Sequence, residues 1–296
     1  MNVQRVFLLA TLLLLTCASM ASAQDESPNP AGAPPKMLLL VHQEINFGRA
    51  AERRKLEIAS AHAYDQWKVP ISWIDLESIT GPPQALFLDP LDSFEELDKD
   101  FAVFGQLFAA HPELAHMQEQ IEALLSSETT QIAVRRDDLG YRPQSIDLSK
   151  ARFLRVLEVR LHPGYESEFA EAFRLLAEAY EKINTDTPWV VYHVNVGAPS
   201  PTFLVFVPLH ALMQNDDLLY WRRSLREAGG EETVQRIEQI TKDAYASTES
   251  NLYVISPEMS HVSREFAAGD PEFWSSKPLP SPKPPAQKNP EAKPKP

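Results

Sequence analysis

The chain has 296 residues, a net charge of −13 and a single cysteine, Cys17. Such an acidic surface repels nucleic acids and anionic lipids, so we expect no nucleic-acid partner. One cysteine excludes a disulfide framework, and the sequence has neither a Gly-rich phosphate loop nor a nucleophile elbow to support phosphate binding or serine hydrolysis.

The first 23 residues have the pattern of an export signal. Arg5 precedes an apolar run from Val6 to Leu15 that is too short to span a bilayer, and Ala21-Ser22-Ala23 supplies the small residues of a cleavage site. Cleavage after Ala23 predicts a secreted protein with no transmembrane segment in the mature chain. Because that chain has no cysteine, we favour the bacterial periplasm. The alternative is a lipoprotein anchored through Cys17, although Thr16 is a poor match for the small residue that normally precedes a lipidated cysteine.

Two proline-rich segments flank the folded part. Residues 24–35 form a polar leader, and residues 276–296 form a tail with five lysines and one glutamate. Neither can bury a core, so we expect both to be disordered. The tail is interpreted as a solvated tether, or alternatively as a contact with an anionic cell surface. The roughly 240 residues between them suffice for one large domain or two small ones.

Residues 36–136, the first half, predict the order strand, helix, two strands, helix and strand. The predicted helices cover 49–67, 93–110 and 112–126, and the strands cover 36–45, 72–79, 84–89 and 129–136. Pro70 ends the first helix segment and Pro90 ends the third strand, because proline disfavours a preceding helical residue and cannot donate to a ladder. Ser93 and Glu96 have the spacing of a capping box.

Residues 137–151 are interpreted as a linker to a second half, residues 152–256, with the same order of elements. The predicted helices cover 165–183, 210–228 and 231–246, with a break at Gly229-Gly230, and the strands cover 152–161, 189–196, 202–207 and 251–256. Residues 257–275 form a C-terminal extension. Matched residues recur at an offset of 116 and then 118, and they are Gly48 and Gly164, Tyr64 and Tyr180, Trp73 and Trp189, Gly81 and Gly197, Pro83 and Pro201, Pro90 and Pro208, and Leu91 and Leu209. The chain therefore predicts an internal duplication.

The predicted fold class is α+β: two tandem ferredoxin-like βαββαβ units, paired sheet to sheet as a single-chain α/β barrel. On this element order and duplication, residues 36–256 resemble the dimeric α/β-barrel superfamily, which includes monooxygenases of antibiotic biosynthesis and their stress-response relatives. The resemblance implies that two sheets enclose a small ligand. No catalytic motif of the superfamily is recognised, so no catalytic residue is assigned.

Alternation along the strands predicts which residues face the enclosed space. In strand 189–196 the apolar series Val190, Tyr192, Val194 and Val196 is expected to pack on helices, as are Ile74 and Leu76 in the first half. The polar residues then expected to face inward and bind a ligand are His42, Glu44, Asp75, Glu77, Glu158, Arg160, His193 and Asn195. Carboxylates and histidines in such a space could transfer protons, with burial raising and Arg160 lowering a carboxylate pKa. The alternative is that these faces are wet and the charges ordinary.

We predict neither a metal site nor a cofactor, since no His-x-x-x-His or His-Glu-x-x-His pattern occurs. The superfamily resemblance leaves haem as an option, with His62 and His193 as the candidate ligands. The leading functional interpretation is an exported protein that binds a small molecule in the barrel cavity. The alternatives are a cofactor-independent oxygenase or isomerase acting on a small aromatic or carbonyl compound, and a protein-interaction module. A monomer is expected because the paired units belong to one chain.

Overall fold

A computed structural model describes residues 30–275, so the expected signal segment, Cys17, residues 24–29 of the leader and the tail 276–296 lie outside the described residues. The first half contains four strands and three helices. They are β1 (Met37–Ile45), α1 (Ala50–Trp67), β2 (Trp73–Ser78), β3 (Gln84–Leu91), α2 (Phe94–Ala110), α3 (Pro112–Glu122) and β4 (Leu125–Arg135). Ser93 caps α2 by accepting a hydrogen bond from the Glu96 N–H at 3.2 Å, as the capping box predicts.

The second half repeats this order after three short 3-10 turns between Asp137 and Lys150. Its elements are β5 (Phe153–Leu161), α4 (Glu166–Ile183), β6 (Val190–Val196), β7 (Thr202–Leu209), α5 (Asp217–Ala244) and β8 (Tyr245–His261). The predicted break in the last helix is a kink at Gly230, whose φ of 83° lies in the left-handed region. Two helices end earlier than predicted, because β4 begins at Leu125 and β8 at Tyr245. The short helices α6 (Arg264–Ala267) and α7 (Pro271–Trp274) complete the described chain.

The eight strands form one closed antiparallel barrel in the order β1-β3-β2-β8-β5-β7-β6-β4. The halves meet along strand edges, where β2 pairs with β8 and β4 pairs with β6. The closed barrel was predicted, but closure comes from edge-to-edge hydrogen bonding and not from two sheets pressed face to face. Since closure pairs every strand on both sides, the barrel has no free edge.

The barrel interior is largely filled by apolar side chains from all eight strands. This interior cluster includes Leu40, Leu76, Leu88, Ala133, Val156, Tyr192, Leu204 and Ile255. The outer face of the second half packs on α4 and α5 through a separate cluster that includes Val191, Phe169 and Phe173. The outer face of the first half packs on α1 through Tyr64, Val69 and Trp73.

The predicted assignment of faces in β2 and β6 is therefore wrong. In β6, Val190, Tyr192 and Val194 point into the barrel and Val191 points to the helices. In β2, Ile74 points into the barrel and Trp73 points to the helices. In a closed barrel both faces of a strand are covered, one by the interior and one by helices. An apolar alternation shows that a face is buried, but it does not distinguish these two coverings.

The C-terminal extension closes one end of the barrel. Val262 and Phe266 pack against the interior cluster, and the buried Trp274 donates its indole N–H to the Ser149 carbonyl at 2.7 Å. The linker and the extension thus hold each other over the same end. Within residues 30–275, no helix combines the length and apolarity needed to cross a membrane.

Candidate functional site

The end of the barrel that the extension covers contains an apolar cavity of about 180 Å³. Its walls come from the strands, the extension, the linker and the end of the leader, and include Leu38, Leu88, Tyr192, Phe266, Leu148 and Pro35. Residues 30–35 of the leader, which were predicted to be disordered, are therefore packed over this end of the barrel. The Tyr192 hydroxyl is already used, because it donates to the Pro35 carbonyl at 2.9 Å. The cavity can therefore enclose a small apolar group, but it offers few polar atoms for orienting one.

The opposite end of the interior is polar and contains two of the eight predicted ligand-binding residues. His42 and Glu158 line a cavity of about 60 Å³ together with Gln131, Glu249 and Asn251. The Nε2 atom of His42 is buried there without a hydrogen-bond partner. Partial burial and repulsion by Glu249 raise the pKa of Glu158, while His42 opposes that rise. Glu44 and Arg160 follow on the same strand faces and are exposed.

Four of the predicted residues lie outside the barrel. Asp75 is fully buried under α1, and Glu77 forms an ion pair with Arg54 on that helix. The His193 ring lies on the outer face, 4.8 Å from the Phe203 ring centroid, and burial and the nearby Arg136 lower its pKa. Asn195 is exposed. The predicted residues of β1 and β5 therefore lie at the polar end of the barrel interior, whereas those of β2 and β6 lie on its outer face, because the inward faces of β2 and β6 were predicted wrongly.

A second polar site lies on the outside of the barrel, between its first-half strands and α1, α2 and α3. We call it the helix–sheet cleft; its volume is about 460 Å³. Its lining combines aromatic with polar side chains, namely Val41, Gln43, Glu57, Ser60, Tyr64, Trp73, Phe87, Asp89, Phe101, Phe104, Phe108, Gln118 and Glu128.

A group that we call the charged cluster consists of Gln43, Arg53, Glu57 and Asp75. Gln43 and Glu57 belong to the cleft lining, and Arg53 and Asp75 lie beneath it. The Arg53 guanidinium is fully buried and donates to the Gln43 amide oxygen at 2.9 Å and to Asp75 at 3.2 Å; Glu57 lies at 3.3 Å. One nitrogen of Arg53 (Nη1) and one oxygen of Asp75 (Oδ1) have no partner. Buried charges with unsatisfied atoms are costly, so this cluster is a poor device for stability alone.

The carboxyl groups around the cleft have pKa values shifted towards neutrality. Burial raises the pKa of Asp75 to about 7 against the pull of Arg53, and burial also raises that of Glu57. Burial and repulsion by Asp100 raise the pKa of Asp89 to about 8. The Oδ1 atom of Asp89 is buried without a partner at the cleft wall. Such carboxyl groups can hold or release a proton at neutral pH.

The corresponding surface of the second half has none of this chemistry. The offsets of 116 and 118 give each of these residues an equivalent position in the second half. The equivalents are Val159 for Gln43, Phe169 for Arg53, Phe173 for Glu57, Val191 for Asp75, and Val207 for Asp89. The strand registers agree, because Gln43 pairs with Ala85 as Val159 pairs with Phe203. All five second-half residues belong to one apolar core. Arg53, Glu57 and Asp89 were not among the site residues predicted from the sequence, although comparing the halves position by position would have singled them out.

Neither candidate haem ligand lies in one of these cavities. His62 is exposed on α1, and His193 packs against Phe203 on the outer face of the barrel. Neither His62 nor His193 is therefore placed to hold haem in one of these cavities. Among residues 30–275, no group of three or more His, Cys, Asp or Glu side chains is arranged to hold a metal ion.

Comparison with solved structures identifies the fold. The chain superposes on an anthrone oxidase-like protein with a TM-score of 0.52 and 12% sequence identity, covering 76% of this chain and 93% of that one. A chlorite dismutase from Candidatus Nitrospira defluvii superposes with a TM-score of 0.45 and 11% identity, covering 77% and 93% of the respective chains. No protein-family model matches the sequence, and no curated protein matches it significantly. The chain has the dimeric α/β-barrel fold, which confirms the resemblance stated from the sequence.

Proposed function

We propose that this protein, with a dimeric α/β-barrel fold, binds a small aromatic molecule in the helix–sheet cleft of its first half and transfers a proton to or from it. This places it with the cofactor-independent oxygenase or isomerase alternative considered from the sequence. The ligand site moves from the barrel interior to the cleft, where aromatic and ionisable side chains line the same space.

The observation that carries the proposal is the contrast between the halves. Equivalent positions hold a charged cluster in one half and an apolar core in the other, under the same backbone pairing. A packed apolar interface is available to this fold, since the second half has one. Retaining Arg53, Asp75 and Asp89 with unsatisfied atoms indicates selection for an activity.

Each part of the cleft has a chemical role in this proposal. Trp73, Phe87 and Phe104 offer ring faces and edges on which an aromatic ligand can pack. Asp89 is the candidate proton-transfer group, because its carboxyl lines the cleft and titrates close to neutral pH. The charged cluster acts as a positioning device: Arg53 fixes Gln43, and Gln43 donates to Glu128 on the cleft wall at 2.9 Å.

The test uses phenylacetone, an aromatic carbon acid, at millimolar concentration in deuterated buffer. We expect the protein to accelerate exchange of the ligand's acidic hydrogens, measured by NMR, and Asp89→Asn to abolish the acceleration. Asp98→Asn, which removes an exposed carboxylate from α2, serves as the control. Equal exchange rates in the wild type and Asp89→Asn would overturn the proton-transfer role of Asp89.

A second candidate follows from the apolar cavity at the covered end of the barrel. Its volume of about 180 Å³ suits a ligand of about one ring, because engineered apolar cavities of roughly 150 Å³ bind benzene. Binding of indole should disappear in Leu88→Trp, which fills the space, and persist in Asp89→Asn. Indole binding unchanged by Leu88→Trp would exclude this candidate.

Three further expectations from the sequence remain proposals. We propose that the halves arose by tandem duplication, that residues 1–23 direct export to the periplasm, and that the protein is monomeric. N-terminal sequencing of protein recovered from cells should give Gln24 as the first residue, whereas a lipidated Cys17 would support the lipoprotein alternative. Light scattering tests the subunit number, and a dimer would favour the protein-interaction alternative.

A further inference from the structure

The charges at the cleft wall restrict the kind of ligand it can hold. Its lining contains the carboxyl groups of Glu57, Asp89 and Glu128, and no Lys, Arg or His side chain is among the described residues that line it. Arg53 lies beneath the wall, where Gln43, Glu57 and Asp75 already surround its guanidinium. An anionic ligand would therefore meet several carboxylates and no available cation.

Among these carboxyl groups, Asp89 is the one whose oxygen lacks a hydrogen-bond donor that a ligand could supply. Its Oδ1 atom is buried and accepts no hydrogen bond, so it is an acceptor that lacks a donor. Tyr64 from α1 and Asp100 from α2 interact electrostatically with Asp89, and Glu57 from α1 and Glu128 from β4 line the same cleft. None of these carries a positive charge. A ligand that supplies a charged N–H donor would satisfy this oxygen and relieve the repulsion among the carboxylates.

Aromatic side chains provide the other half of the recognition. Tyr64 packs edge-on against Trp73 at 4.9 Å and lies 6.4 Å from the Phe104 ring, which is 6.3 Å from Phe108. Such surfaces attract organic cations through their electron-rich faces as well as through apolar contact. The same faces would accept an uncharged ring, but only a cation uses both the rings and the carboxyl groups.

We infer that the ligand of the cleft is an aromatic amine in its protonated form, with its ammonium group at Asp89 and its ring against the aromatic wall. This inference rests on the proposed function, because it names the ligand class of the same cleft. A bound ammonium group favours the ionised form of Asp89. The proton that Asp89 releases passes to solvent, and the resulting ion pair holds the ligand in the cleft.

The test compares three probes of similar size that differ in charge: 2-phenylethylamine, 2-phenylethanol and 3-phenylpropionate. Isothermal titration calorimetry at neutral pH and low salt should show the amine binding at least tenfold more tightly than the alcohol, with no measurable binding of the carboxylate. Asp89→Asn should remove the preference for the amine, and Glu128→Gln should weaken it. Asp98→Asn changes the net charge equally but lies outside the lining, so it should leave the preference intact.

The outcomes distinguish a wrong ligand charge or recognition point from a failure of the proposed function. If the alcohol or the carboxylate binds as tightly as the amine, the inferred charge is wrong while the cleft remains a ligand site. If the amine preference survives in folded Asp89→Asn and Glu128→Gln, the assigned recognition point is wrong. If none of the three probes binds, the helix–sheet cleft does not bind small aromatic molecules, and the proposed function fails as well.

Discussion

Replacing both members of the Arg53–Asp75 pair should leave the protein as stable as the wild type or make it more stable, whereas replacing one should destabilise it. Both side chains are fully buried, and their ion pair spans 3.2 Å. Asp75→Val leaves the guanidinium with fewer partners, for which we expect a loss of about 3–5 kcal/mol. Arg53→Met leaves the Asp75 carboxyl without its cation and should also destabilise the fold.

The double variant Arg53→Met/Asp75→Val removes the pair together with its two unsatisfied atoms. Each such atom costs about 1–3 kcal/mol when buried, and buried ion pairs replaced by apolar side chains often give about 1–4 kcal/mol of extra stability. Glu57 loses its partner as well, but burial already raises its pKa, so it can take up a proton. The expected change therefore lies between no loss and a gain of about 4 kcal/mol.

Urea unfolding at neutral pH, followed by tryptophan fluorescence, measures all four members of this double-mutant cycle. The second half provides the structural precedent, since Phe169 and Val191 occupy the matched positions within an apolar core. A double variant as unstable as the less stable single variant would refute the reasoning. It would mean that the charged cluster stabilises the fold, and the contrast between the halves would then give no support to the proposed function.

Three further predictions address pH, core packing and barrel closure. Because the pKa of Asp75 is raised from 3.8 to about 7, the folded state binds this proton more tightly than the unfolded state, and stability falls as pH rises. Between pH 5 and 8, Asp75 should lower the free energy of unfolding by about 3 kcal/mol. Urea unfolding of Asp75→Asn should lack this decrease. Phe169→Ala, at a fully buried position of the second-half core, should lower the free energy of unfolding by about 3–5 kcal/mol, and a loss under about 1 kcal/mol would show that this core is loosely packed. Gly197→Ala places a methyl group against the Thr130 carbonyl, at a φ of +92° beside the β4–β6 junction. Thermal unfolding should show that it lowers the free energy of unfolding by about 2 kcal/mol or more. Gly164→Ala, which adds a methyl group in open space, should lower it by less.

The sequence predicted the elements and their order well, because the signals are local. The Ser93 capping box and Gly230 act within a few residues of their own position, and the structure has a helix start and a kink there. Pro90 does not end its strand as predicted, because β3 continues to Leu91 with Pro90 opposite Leu38. The closed barrel followed from the element order and the resemblance. The starts of β4 and β8 were placed too late, since Ser127–Thr130 and Ser247–Ser250 have few apolar residues and owe their strand structure to pairing with β1 and β5.

The site was harder to predict because it depends on which face of each strand meets the helices. Asp75 and His193 were placed in the barrel interior on the assumption that the apolar series Ile74–Leu76 and Val190–Val194 met the helices. The helices of the first half cover a polar face instead. The burial of Arg53 has no clear signal in the sequence, because Arg53 is one of three consecutive cationic residues, Arg53 to Lys55, that a helix would normally expose to water.

Comparison of the two halves separates the residues that build the fold from those to which the proposed function assigns a role. Where the halves agree, the residue has the same structural task twice: Trp73 and Trp189 each donate their indole N–H to a backbone carbonyl at 2.9 Å. Where they differ, backbone geometry is held constant while chemistry changes, so the second half acts as an internal control. The fold does not require a charged side chain at a position whose equivalent in the second half is a phenylalanine. The exchange of Arg53 for Phe169 between equivalent helices is therefore the observation on which the proposed function rests.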